Sequence, residues 1–317
     1  MKCILYFLLF IQFSWATDYD CVFVGSSPIA LFEALYQYHS GKSVAIFEEA
    51  ALCGGAWRSL PFCGVEHADV GCHEIGEDLE MKEFLETYAG CHIVPMDNPS
   101  ELNPLPHKHP GFYFAEGCYE LIHNLELLIS RTSIALLLGS RVDHIAIDRL
   151  AQEVRVTVQG KQLTTKKVFA SQYSYFSIDG CLHPTPPKTP YHHLYLLIAD
   201  PTPARFSYQE RMGPSISRAM NLTHFTGLTG TGRQLIVFQL HAQKNLQTGT
   251  AFLEELKKNE LVDESAYILT EEPYVYEQWP HGNFGCPSSQ FLEVLNTAGI
   301  WNMPELIPRW KEVLKPF

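Results

Sequence analysis

The chain has 317 residues, 46% of them hydrophobic and 18% charged, a composition that excludes a disordered chain and allows one large or two moderate domains. Its 23 Lys and Arg stand against 35 Asp and Glu, a formal net charge of -12 that excludes the basic stripes by which nucleic-acid binders neutralise phosphate.

In chain order, Lys2 precedes an apolar run from Cys3 to Phe13, and Ser14-Trp15-Ala16 has the small-x-small form of a cleavage site. Residues 1–16 therefore read as a secretory signal peptide, giving a secreted or periplasmic protein. The alternative is a start codon assigned too early on a cytoplasmic one. Later apolar stretches are too short to span a bilayer, so no integral membrane span is expected in the mature chain. Asp20 to Val24 is an apolar run ending at Gly25, the profile of a buried parallel strand. Ser27 is placed to cap a helix that Pro28 opens and that runs from Ile29 to His39, with Glu33 and Gln37 as its polar edge. Ser43 to Phe47 is a second strand, and Glu48 and Glu49 follow it. Strand, tight turn, helix and acid-ended strand are the parts of a dinucleotide-binding βαβ unit.

Cys53-Gly54-Gly55-Ala56-Trp57-Arg58 comes next, then a loop-rich stretch to Gly76 and a helix from Glu77 to Tyr88. Residues 95–110 carry five prolines and read as a connecting excursion. A helix is expected over Gly117 to Arg131 and strands over Ser133 to Leu138, Val142 to Asp148, Glu153 to Val158 and Gln162 to Phe169. Four prolines in residues 183–190 mark a boundary, beyond which His193 to Ile198 and Gln234 to Leu240 read as strands of another sheet and Gly249 to Glu260 as a helix. The expected organisation is a Rossmann-like FAD/NAD(P)-binding domain over 17–182, a mixed β-rich substrate domain over 190–285, and a C-terminal segment over 286–317. The fold class is α/β.

Gly25-Ser26-Ser27-Pro28-Ile29-Ala30 meets two of the three small positions of a phosphate turn. Gly25 permits the tight bend and Ala30 lets the helix pack on the strand. Ser27 replaces the glycine that lets pyrophosphate approach the backbone, although its hydroxyl and amide remain available as donors. Glu48 would accept hydrogen bonds from ribose hydroxyls; Glu49 could hold the same role.

With these parts in place, the chain resembles the flavin-containing amine oxidase superfamily, which includes protoporphyrinogen oxidase, phytoene desaturase-like enzymes and UDP-galactopyranose mutase. The likeness rests on Gly54-Gly55-Ala56-Trp57-Arg58, on Asp69-Val70-Gly71-Cys72-His73, and on the block over residues 111–170 with Arg141-Val142-Asp143-His144-Ile145 as its turn. It implies FAD as cofactor, with Gly54 and Gly55 admitting it to the backbone, Arg58 contacting pyrophosphate or flavin, and Val142 contacting adenine. It also implies a small-molecule substrate and hydride transfer to the flavin. A mutase-like flavoprotein and a non-catalytic secreted remnant are the alternatives. The family's closing Gly-Asp pair does not occur after residue 285.

Candidate catalytic residues are His73, which would donate to a reduced flavin, Arg218, which would hold an anionic substrate or form a surface ion pair, and Tyr276 and Trp279 in an aromatic-rich stretch. His107, His109 and His192-His193 lack partners at ligand spacing, so no metal is assigned. The nine scattered cysteines read mainly as buried thiols, and Asn221-Leu222-Thr223 is a glycosylation acceptor by pattern.

Overall fold

A computed structural model describes residues 19–73, 75–76, 78–96, 111–179, 187–210, 215–241, 248–279, 290–297 and 300–317. The expected leader, most of the first proline-rich stretch and half of the second, His107, His109, Cys3, Cys181 and Cys286 lie outside these residues.

Strand β1 (Tyr19–Val24) is apolar on both faces because it lies inside a sheet, flanked by two parallel neighbours, β2 (Val44–Phe47) and the long strand Lys161–Ser171. Ala135–Leu137 extends this sheet beyond β2, and Glu153–Val158, Val142–Asp148 and Ser177–Ile178 extend it the other way. Leu292–Leu295 also pairs in parallel with Lys161–Ser171, so the C-terminal segment completes the first sheet. Five parallel strands thus end along one edge, at Val24, Phe47, Leu137, Ser171 and Leu295. In open α/β sheets that edge is where ligands bind.

Between β1 and β2 runs helix α1 (Pro28–His39). The polar edge expected at Glu33 and Gln37 is in fact interior: Glu33 is wholly buried and Gln37 nearly so. Glu33 accepts hydrogen bonds from Gln37 Nε2 at 2.7 Å, from Trp310 Nε1 at 2.9 Å and from Arg309. A short C-terminal helix, Ile307–Lys311, is thereby fastened to α1, with the Trp310 ring 5.3 Å from Phe32 and 5.7 Å from Phe84.

The second sheet is antiparallel, in the order Tyr208–Glu210, Ile216–Asn221, Arg233–Leu240, Thr189–Ala199, Tyr267–Gln278. Leu194, Leu196 and Ile198 face helix Gly249–Lys258, whereas Tyr195 and Leu197 face the core that also holds Phe23, Phe62 and Tyr113. One continuous core therefore joins the two sheets. Two hairpins stand at their junction, Ser59–Phe62 with Val65–Asp69 and Ile93–Pro95 with Phe112–Phe114. The six cysteines at 21, 53, 63, 72, 91 and 118 are buried and free. Asn221 is fully buried and donates to Gln234 Oε1 at 2.7 Å, so the folded chain does not present the glycosylation pattern.

Candidate functional site: a cleft at the carboxyl edge of the first sheet

A cleft of about 820 Å³ opens where the parallel strands end. That volume lies within the range of small-molecule and cofactor sites. At its floor Gly25 adopts φ +95°, and a Cβ there would lie 3.0 Å from both Ser171 Cβ and Ser174 Oγ. Only glycine fits that bend. The amides around it are largely committed. Gly25 N donates to Phe47 O at 2.8 Å, Ser26 N to Glu48 Oε2 at 2.9 Å, and Ala30 N to Ser27 Oγ at 3.3 Å. Pro28 has no N–H to give. Ser27 N and Ile29 N are the donors of this turn that carry no hydrogen bond among the described residues. Glu48 also accepts from Ser26 Oγ at 2.7 Å and Ala50 N at 2.8 Å. With three of about four acceptor positions used, one is open to a ribose hydroxyl.

Gly54 and Gly55 form the next wall, at φ +99° and +58°. Gly54 N donates to Ser26 O at 3.0 Å, tying this turn to the first, while a Cβ on Gly55 would meet nothing within 4 Å and faces open space. Arg58 donates through Nη2 to Tyr274 Oη at 3.2 Å and lies 5.7 Å from the Tyr276 ring centroid. Its Nε, like Arg141 Nε, is buried without a partner among the described residues. Both side chains line the cleft, as does Lys188. The two orphaned guanidinium donors, with the free Ser27 amide, fit the pyrophosphate of a dinucleotide.

The Asp69-Val70-Gly71-Cys72-His73 segment is held by a buried knot. The Asp69 carboxylate accepts from Ser59 Oγ at 2.6 Å, from Cys118 N at 2.9 Å and from Tyr113 Oη. Tyr195 Oη donates to Asp69 O at 2.7 Å and accepts from Gly71 N at 3.1 Å. His73 stacks on Trp57 at 4.5 Å, and its Nε2 meets both Ala56 O and Val70 O at 2.9 Å, so Nε2 carries the proton. Burial pushes the imidazole pKa down and holds it neutral. Nδ1 is then an acceptor, and the donor role expected of His73 is not what its geometry offers.

Of the residues singled out from sequence, Gly25, Ser27, Glu48, Gly54, Gly55, Ala56, Trp57, Arg58, His73, Val142, Arg218, Tyr276 and Trp279 all line this one cleft. Pro28, Ile29 and Ala30 lie behind it in the first turn of α1. Trp279 stands apart from the other catalytic candidates in its company. Its Nε1 donates to Glu49 Oε2 at 3.3 Å and its ring lies against Lys188, Arg141 and Tyr175, beside the Val142 turn. Sequence reading gave no cleft role to Arg141, which it quoted only within the Val142 turn, to Lys188, to the Ser171–Thr297 pair with its 2.6 Å hydroxyl contact, or to His193, weighed only as a metal ligand, and Gln239 opposite it in the second sheet. Strand alternation around His193 was the available signal for the last two.

No family model and no curated protein matches the chain. Among solved structures it is similar to an oxidoreductase from Methanosarcina mazei, with a TM-score of 0.61 at 14% identity over 89% of this chain and 95% of that one. A putrescine oxidase redesigned in its cofactor binding gives 0.59 at 10% identity over 81% and 85%. RAB GDI from Plasmodium falciparum gives 0.57 at 10% identity over 94% and 98%. The chain shares a Rossmann-like α/β fold with these structures. Identities this low establish the fold alone, and a fold hosts many chemistries, so the reaction must be argued from the cleft.

Proposed function

We propose that this protein binds FAD in the cleft and is a flavin-dependent oxidoreductase of the amine-oxidase type, acting on a small molecule. The observation that carries the reading is convergence. The Gly25 turn, Glu48, the Gly54–Gly55 turn, Arg58 and Val142 come from separate stretches of sequence and meet around one space of cofactor size. FAD bound there would supply the hydride acceptor. The chain's own residues bind and orient: Arg58 and Arg141 toward pyrophosphate, Glu48 toward ribose, and the buried Asp69 knot to hold the His73 segment in place. Tyr276 and Arg218 border the space left for substrate.

A second reading, a binding protein that keeps the fold without catalysis, draws on Ser27, whose hydroxyl occupies an amide that a glycine turn leaves open. Absorbance of the purified full chain after incubation with FAD separates the two. Bound flavin that bleaches anaerobically with a primary, secondary or polyamine supports the oxidoreductase. Bound flavin that no amine reduces, with turnover only after dithionite reduction, favours the mutase-like chemistry instead. Failure to bind FAD overturns both enzyme readings.

A further inference from the structure

The structure assigns an anion-binding row to the second sheet, and we infer that the small molecule bound beside the cofactor carries a carboxylate. This rests on the cleft being a cofactor-and-substrate site, as proposed above. The row follows from register. Arg218 lies opposite Gln239, Gln239 opposite His193, and His193 opposite Tyr274, on four adjacent antiparallel strands. Directly opposed residues project from the same face of a sheet. Arg218, Gln239 and His193 accordingly all line the cleft, and Tyr274 continues the row by accepting from Arg58.

Two features of this row call for a ligand. Arg218 is half-buried and has no carboxylate within ion-pair distance among the described residues, in a chain where acids outnumber bases 35 to 23. Arg155, Arg205 and Arg309 each have one, with Asp148, Asp263 and Glu33. The surface ion pair that would explain Arg218 without a ligand is therefore missing among those residues. Independently, His193 is 4% exposed and its Nδ1 is buried with no hydrogen-bond partner among the described residues, an arrangement that costs stability unless something else satisfies it. Asp69 has its oxygens engaged by Ser59, Tyr113 and Cys118, and none of the acids that line the cleft, Glu48, Glu49 and Glu277, forms an ion pair with Arg218 among the described residues.

Charge and shape favour a carboxylate over a phosphate. A single guanidinium offers a planar fork that matches two coplanar oxygens and one negative charge, with the Gln239 amide and His193 imidazole as neutral neighbours. Tyr191 and Tyr276 oppose each other two residues further along the same strands and line the same cleft, giving an aromatic wall for the rest of the molecule.

The test is titration of the full chain, with and without FAD, by acetate, benzoate and phenylacetate, each against its own amide, and by phenylphosphonate. At least one carboxylate is expected to bind about tenfold or more tightly than its amide. Arg218→Gln should abolish that preference without changing FAD binding, and Arg218→Lys should restore part of it. No carboxylate preference in the wild-type chain overturns the inference whether or not either variant folds, as does a preference that survives in a folded Arg218→Gln protein. Tighter binding of phenylphosphonate than of every carboxylate overturns it in favour of a phosphorylated ligand. A carboxylate preference in a chain that binds no FAD keeps the row and removes the flavin reading, so the two failures are distinguishable.

Discussion

Ser27 occupies the position where a dinucleotide turn normally has no side chain, and its hydroxyl folds back onto Ala30 N. The effect is to cap α1 at the expense of an anion donor. Ser27→Gly should therefore cost only a few tenths of a kcal/mol of stability while strengthening FAD binding by about tenfold, the worth of one freed amide on a charged phosphate. Flavin fluorescence titration checks this. Weaker binding in Ser27→Gly would show instead that the hydroxyl itself is a phosphate ligand. Gly25 is the opposite case: Gly25→Ala puts a Cβ at φ +95° against Ser171 and Ser174, and should lose about 1–3 kcal/mol by denaturant unfolding together with cofactor binding.

His193 gives a pH prediction at the same scale. Burial, with neighbouring His73 and His192 adding to it, pushes its pKa from 6.5 down to about 4. A depressed histidine contributes stability that is present above its unfolded pKa and is lost as pH falls toward the folded one. The loss should fall between about pH 6.5 and 4 and reach roughly 3 kcal/mol. Gln in place of His193 should flatten that part of the stability profile, measured by urea unfolding at each pH. An unchanged slope in His193→Gln would place the acid sensitivity elsewhere. Residue types in the cleft were legible in the sequence because Gly25, Gly54, Gly55 and Glu48 mark backbone requirements of a turn. The partnering of Arg218 and the tautomer of His73 were not, since both depend on contacts made across the fold.

At the scale of elements, the C-terminal helix is fixed to α1 by the buried Glu33 carboxylate and by Trp310 among Phe32 and Phe84. Trp310→Ala should cost about 3–5 kcal/mol, as expected for a fully buried large aromatic side chain. A loss under 1 kcal/mol by denaturant unfolding would show that the helix is not integral to the first sheet's packing. Sequence patterning located six of the eight strands of the first sheet but only two of the five in the second: Val142–Asp148 and Glu153–Val158 match their expected bounds, and helix Cys118–Ser130 lies one residue inside its expected bounds at each end. It missed others for identifiable reasons. Tyr267–Gln278 has Glu271 and Glu272 beside Pro273, which argues against an interior strand, yet it lies at a sheet edge where proline and charge are tolerated. Hairpin Ser59–Phe62 likewise contains Pro61. Leu292–Leu295 is four residues long, and no local pattern shows that its partner is Lys161–Ser171. The C-terminal segment thus enters the first sheet as a strand leading to Thr297 in the cleft, without the Gly-Asp pair that sequence reading sought.

Over the whole molecule, the cleft gathers cationic side chains in an acidic protein. Arg58, Arg141, Lys188 and Arg218 line it beside Glu48, Glu49 and Glu277, with Lys188 paired to Glu49, while the chain carries a formal -12. Attraction of an anion therefore rests on the individual arginines rather than on a net positive field, and it is screened by salt. Most of the α/β order was readable because strand, turn, helix and acid recur in a fixed spacing, whereas the joining of two sheets around one core was set by side chains such as Tyr195 that meet only after folding. The central claim is that this shared cleft is a flavin site. Calorimetric titration of the full chain with FAD tests it most directly. One FAD per chain, weakened about tenfold or more by Arg58→Ala and by Arg141→Ala, is the result expected. No saturable binding of FAD by a folded protein, or binding indifferent to both arginines, would contradict it.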